Sequence, residues 1–110
     1  MEPRFKLWIE EGGELVFSNG RAGLLRRIEA RGSITAAARE MGMSYRAAWG
    51  KLRKCEERLG FQLLLTHAGG RGGGGTSLTP EAREFLARFE AWRSRMEVAV
   101  KASFEEVFRK

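Results

Sequence analysis

The chain opens on a two-residue alternation. Phe5, Leu7 and Ile9 fall on one side, and Lys6, Trp8 and Glu10 on the other. Gly12-Gly13 permits a turn, and Leu15 and Phe17 resume the pattern. Residues 1–18 are therefore expected to form an N-terminal β-hairpin. After it the apolar spacing becomes helical. Ser18 or Asn19 can cap a first helix whose apolar face is Ala22, Leu24, Leu25 and Ile28, and Gly32 stops it. Ser33 or Thr35 caps a short second helix, with Ile34, Ala37, Ala38 and Met41 inward and Gly42 at its end. A short turn leads to a third helix beginning at Ser44. In it Ala48, Leu52, Cys55 and Leu59 form one apolar stripe, and Gly60 closes it.

The last third repeats the change of period. Phe61 to Thr66 is short, apolar and strand-like; a glycine run, Gly69-Gly70-Arg71-Gly72-Gly73-Gly74-Gly75, and then Thr76-Ser77-Leu78-Thr79 complete a second hairpin with a long tip. Thr79-Pro80-Glu81 supplies a cap, a proline at the first helical position and an acid in the first turn of a helix over 80–108. The expectation is a mainly α fold with small β-hairpins, one winged helix-turn-helix domain over 1–110. It divides into an N-terminal hairpin (1–18), a tri-helical core (19–60), a wing (61–79) and a long dimerisation helix (80–108). Phe85, Phe89, Trp92, Met96 and Val100 on that helix exceed what one small domain buries. They are assigned to pairing with a second copy in a homodimer. Packing of the same stripe against the N-terminal hairpin is a competing use, compatible with it for the first half of the helix.

Charge gives the helices a direction. The 110 residues carry 20 Lys and Arg against 14 Asp and Glu, a net +6. Residues 20–60 hold ten basic and four acidic side chains, whereas residues 1–19 hold two and four. A basic excess in one region suggests an anionic partner, nucleic acid first. Two helices joined by a short glycine-containing turn, the second basic on its outer face, form a helix-turn-helix. The leading turn of the second brings Ser44, Tyr45 and Arg46 to base edges, with Trp49, Arg53 and Lys54 further along. Arg46 is the candidate for a bidentate contact to guanine. Arg71 is the one charge in the wing tip, placed along the DNA backbone or in the minor groove; a merely flexible linker is the competing reading of the glycines.

Enzyme chemistry finds no footing. His67 is the single histidine and Cys55 the single cysteine, so no zinc set, metal or cofactor is expected. Cys55 falls on the apolar stripe and reads as core. Ser44 has no histidine at a plausible spacing, and Glu56-Glu57 read as solvated charges. Gly70 to Gly75 has the spacing of a phosphate-binding loop, but Thr76 stands where that loop requires lysine. No apolar run approaches the roughly 20 residues that span a bilayer, and Met1-Glu2-Pro3-Arg4 does not begin a signal peptide. The expected location is the cytoplasm, with no membrane partner.

Gly32-Ser33-Ile34-Thr35-Ala36-Ala37-Ala38, followed by Met41-Gly42-Met43-Ser44, resembles the helix-turn-helix of LysR-type regulators. Ser44-Tyr45-Arg46-Ala47-Ala48-Trp49, with the glycine run and Leu78-Thr79, looks like the N-terminal DNA-binding domain of the molybdate-responsive ModE family. The resemblance runs from about Phe5 to Phe89. It implies a homodimeric transcription regulator that binds double-stranded DNA at a palindromic operator and is linked to molybdenum metabolism. Ser44, Tyr45, Arg46 and Trp49 match its recognition-helix motif, and Arg71 its wing. Members of that family continue into a molybdate-binding domain, whereas this sequence stops at Lys110. That implies a stand-alone form, one that either does not sense molybdate or senses it through a separate partner protein. The remaining alternatives are a winged-helix protein-interaction adaptor without sequence-specific DNA binding, and an RNA binder, for which the sequence offers no stacking platform beyond Tyr45 and Trp49.

Overall fold

The computed structural model describes residues 1–67 and 75–109. Strands β1 (Trp8–Glu11) and β2 (Glu14–Ser18) pair antiparallel and are followed by helices α1 (Asn19–Arg31), α2 (Ile34–Glu40) and α3 (Tyr45–Leu59). Strands β3 (Leu64–His67) and β4 (Gly75–Leu78) form a second antiparallel hairpin, and α4 (Pro80–Phe108) ends the chain. This is a winged helix-turn-helix with an N-terminal hairpin and a long C-terminal helix.

Each helix begins where a hydroxyl can accept an orphan backbone N–H. Ser18 accepts from Arg21, Ser33 from Ala36, Ser44 from Ala47 and Thr79 from Ala82. Helices α1 and α3 stop at Gly32 and Gly60, whose positive φ a side chain would strain. Thr79 does a second job: its hydroxyl also donates to the Gln62 carbonyl at 2.6 Å, which ties the start of α4 to the start of the wing.

The expected helical stripes are the core. Ala22, Leu24, Leu25, Ile28, Ala37 and Ala48 are fully buried, and Leu52 and Cys55 nearly so. Phe17 sits at the centre, its ring edge-on to Phe85 at 4.9 Å and to Phe89 at 5.0 Å between centroids. Burial of a ring of that size stabilises the fold by about 2–3 kcal/mol.

The hairpins differ from expectation in two places. The first strand begins at Trp8 rather than near Phe5, and its ladder slips: Ile9 pairs with Phe17 but Glu10 with Leu15, so Val16 is a bulge. The bulge turns successive residues Val16 and Phe17 both inward, which strict alternation forbids. The wing strand begins at Leu64, not Phe61. The backbone of Leu63 is engaged elsewhere, its N–H by the Glu56 carboxylate at 2.9 Å and its carbonyl by the N–H of Thr79 at 2.9 Å. Glu56, expected to be a solvated charge, is thus a structural acceptor.

The molecule is elongated, 63 Å by 31 Å by 24 Å. Its radius of gyration is 16.7 Å, against about 13 Å for a compact chain of this length. The cause is α4, whose 29 residues span about 43 Å at the helical rise. Ala82 and Phe89 near its start are buried, whereas Val98, Val107 and Phe108 are about two-thirds exposed.

Candidate nucleic-acid interface

The interface is built from the turn between α2 and α3. Gly42 takes a φ of +68°, and the N–H of Met43 reaches back to the Ala38 carbonyl at 3.0 Å. The small, buried Ala37 and Ala38 let α2 and α3 approach closely. Ala48, Leu52 and Cys55 hold α3 down by one side. Leu59 packs against the same core at the far end of the helix, and the leading half is left to present its other side outward.

Tyr45, Arg46, Trp49, Arg53 and Lys54 are all exposed. Ser44 is exposed as well, but its oxygen accepts the N–H of Ala47 at 3.1 Å. Its hydroxyl proton and a second lone pair remain for a partner outside the helix. The Arg53 guanidinium lies over the Trp49 ring, 4.8 Å from its centroid, a cation–π contact that restrains an otherwise mobile side chain. Tyr45, Trp49 and Arg53 share one flank of α3 and line a cleft of about 440 Å³ with Thr66, His67 and Thr76 of the wing. The structure therefore brings the wing base and the aromatic flank of α3 together around one concave surface. Arg71 lies outside the described residues.

The wing is aimed by backbone hydrogen bonds. The N–H of Thr76 donates to the Gly32 carbonyl at 2.9 Å, so β4 is pinned to the end of α1. The Leu78 N–H donates to Glu29 of α1 at 3.4 Å, and Arg83 of α4 ion-pairs with the same carboxyl at 3.0 Å. His67 Nε2 and the Ser77 hydroxyl, diagonal neighbours across the hairpin, are hydrogen-bonded at 2.9 Å. No sequence signal marks Glu29 or Gly32 for these contacts, because they join residues more than forty positions apart.

Charge on this surface is uncommitted. Among the described residues, Arg46, Lys51, Arg53 and Lys54 form no ion pair. Arg58, at the far end of α3, is committed: it pairs with Glu14 at 2.6 Å and donates to the Leu15 carbonyl. Cys55 is buried, and its thiol donates to the Val16 carbonyl at 3.3 Å. Burial pushes the thiol above its ordinary range, against the pull of the nearby Arg21 and Arg58 cations. That is the environment of an inert core cysteine. No three His, Cys, Asp or Glu side chains among the described residues are grouped to hold a metal ion. No described helix is long and apolar enough to cross a membrane.

The stripe assigned to a partner divides in two. Phe89 is buried within its own chain and Phe85 is half-buried against Phe17 and Phe61. The surface left over starts at Trp92 and continues through the half-buried Met96, Val100 and Phe104. Residues Glu2 to Phe5 lie beside Arg93, Glu97 and Val100 at the start of that surface.

The sequence is similar to that of several known proteins. The chain is 41% identical over 71 residues to the molybdenum-pterin-binding protein MopB of Rhodobacter capsulatus. It is 46% identical over 70 residues to the molybdenum transport protein ModE of Herbaspirillum seropedicae. It is 31% identical over 70 residues to the DNA-binding transcriptional dual regulator ModE of Escherichia coli K12. Each match covers 64% of this chain. The chain spans about a quarter of the length of these relatives, 25% to 27%. The family described as bacterial regulatory helix-turn-helix protein, lysR family, matches residues 23–83, from within α1 through the wing to the first turn of α4. The chain belongs to the lysR family of bacterial regulatory helix-turn-helix proteins.

Proposed function

We propose that this chain is a sequence-specific, double-stranded-DNA-binding transcriptional regulator that acts as a homodimer in the cytoplasm. The observation that carries the reading is the cationic face of α3, without ion pairs among the described residues for Arg46, Lys51, Arg53 and Lys54, held at the front of a helix-turn-helix of this family. The major groove, about 12 Å wide, admits one helix of this kind. Arg46 in the leading turn makes the bidentate contact to a guanine edge, while Arg53 and Lys54 neutralise phosphates and Ser44 and Tyr45 fix the register. Trp49 acts through Arg53, whose guanidinium it restrains. The wing, with Arg71, follows the adjacent backbone or minor groove.

The distal half of α4 supports the dimer, since Trp92, Val98, Val107 and Phe108 stay exposed there beside the half-buried Met96, Val100 and Phe104. Two-fold pairing makes the operator palindromic, with half-sites about 34 Å apart. The names of the relatives support a connection to molybdenum metabolism.

The test is selection of the purified protein on fragmented genomic DNA, with sequencing of the retained fragments. A two-fold symmetric consensus is expected, together with sedimentation as a dimer. Retention without a consensus would overturn the regulator reading and leave a non-specific DNA binder, and no retention would favour a protein-interaction adaptor. Adding molybdate to the same selection asks whether that anion changes the affinity.

A further inference from the structure

Gly50 stands in the interior of α3 and is exposed. Glycine there is destabilising relative to alanine, because the unfolded chain loses more freedom and no side chain shields the backbone. The fold gives nothing in return. A Cβ added to Gly50 meets no atom within 4 Å, and its φ is not positive. Among the other described glycines, Gly12, Gly13, Gly32, Gly42 and Gly60 take positive φ, and an added carbon at Gly23 or Gly75 would crowd Arg27 at 3.1 Å or the Gly32 carbonyl at 3.2 Å. Gly20, whose added carbon makes only an ordinary contact at 3.7 Å, lies in the first turn of α1 and away from the cationic face of α3.

The surroundings of Gly50 on the helix surface identify what the missing side chain serves. Residues three and four positions away are surface neighbours on a helix. For Gly50 these are Arg46 and Ala47 on one side and Arg53 and Lys54 on the other, all exposed. A bare stretch of backbone thus lies amid three cations, none ion-paired among the described residues.

We infer that Gly50 is the point at which α3 comes closest to DNA, a specificity-determining residue whose bare backbone lets the helix seat at full depth in the major groove. This rests on the regulator reading given above. A helix with its side chains is about 10–12 Å across and the groove about 12 Å wide, so the fit leaves little slack. A methyl at the crest lifts the helix away from the base edges. The bidentate contact of Arg46 then lengthens beyond the range in which hydrogen bonds keep their strength. Contacts to phosphates, made by long side chains at the flanks, survive the lift.

The experiment compares the wild type with Gly50→Ala, Gly50→Leu and Arg46→Ala. Each is titrated against a duplex recovered by selection and a random duplex of equal length, over a range of salt. Gly50→Ala is expected to melt about 4 °C higher than the wild type. It is expected to lose affinity for the selected duplex by about tenfold or more, the scale of one lost base-pair contact. Its affinity for random duplex and its salt slope stay those of the wild type, because no phosphate-neutralising cation has been removed; Arg46→Ala shows the same selective loss on the selected duplex, with relaxed base preference. Gly50→Leu loses more than Gly50→Ala. Wild-type affinity of Gly50→Ala for the selected duplex overturns the inference and leaves the regulator reading standing. A lower melting temperature for that variant also overturns it, since the fold would then need the glycine. A wild-type protein that prefers no duplex overturns both.

Discussion

Helices α1 and α3 carry similar numbers of cations and use them in opposite ways. In α1, Arg26 pairs with Glu90 of α4, while Arg27 and Arg31 converge on Glu40 of α2. In α3 only Arg58 is paired, and Arg46, Lys51, Arg53 and Lys54 stand free among the described residues. Net charge alone would treat the two helices as one basic region. The pairing separates a bracing set from a binding set. The first ties helices to one another, and the second keeps its charge for an anion outside the chain. The difference follows from position: Glu40 of α2 and Glu90 of α4 stand within reach of α1, whereas among the described residues no carboxylate pairs with the outer cations of α3.

Removing members of each set sharpens the contrast. The largest effect belongs to Arg46→Ala, which is expected to weaken binding to the selected duplex by about 1–3 kcal/mol and relax base preference at one position. Fluorescence anisotropy against single-base variants of the duplex checks it, and an unchanged consensus would remove Arg46 from the reading. Next come Trp49→Ala and Arg53→Ala in a double-mutant cycle. Because the ring restrains the guanidinium, the two losses are expected to fall short of additivity by about 0.5–1 kcal/mol. Additive losses would mean that Trp49 contacts DNA independently.

Smaller still is Arg31→Ala, on the bracing side. Its ion pair with Glu40 is largely exposed, so the expected loss of stability is below about 1 kcal/mol, with no change in base preference. A change in consensus would erase the distinction between the two sets. The smallest effect is that of pH through Cys55. The folded thiol titrates above its unfolded value because burial disfavours the thiolate. Its contribution is therefore complete below the ordinary thiol range and declines as pH rises past about 8.5. Denaturation of the wild type and Cys55→Ala between neutral and alkaline pH checks this, the variant losing that part of the alkaline decline.

Local rules made most of the fold legible. Caps at Ser18, Ser33, Ser44 and Thr79 and stops at Gly32 and Gly60 need only a few neighbouring residues. The apolar stripes of α1 and α3 needed only their period. What escaped was set by contacts distant in the chain. The bulge at Val16 depends on a ladder slip and on the packing of Cys55. Glu56 becomes an acceptor only because Leu63 folds back onto it. The outer face of α3 was legible as a basic surface, but not which cations were free, since a charge reads the same whether or not a carboxylate waits across the fold. Phe89 carried two readings, pairing with a partner and packing against the N-terminal hairpin; it is buried within its own chain, and period alone does not say where a long helix leaves the core.

The wing has the construction of a tool with a fixed handle and an exchangeable blade. Its strands are held at the base by Gly32, Glu29, Gln62, Leu63 and Thr79, all outside the tip. The paired residues His67 and Gly75 mark where the clamped part ends. Insertions or deletions between them leave the clamps untouched. The chain can thus explore new tips, with new reach and charge, at almost no risk to the angle at which they are presented.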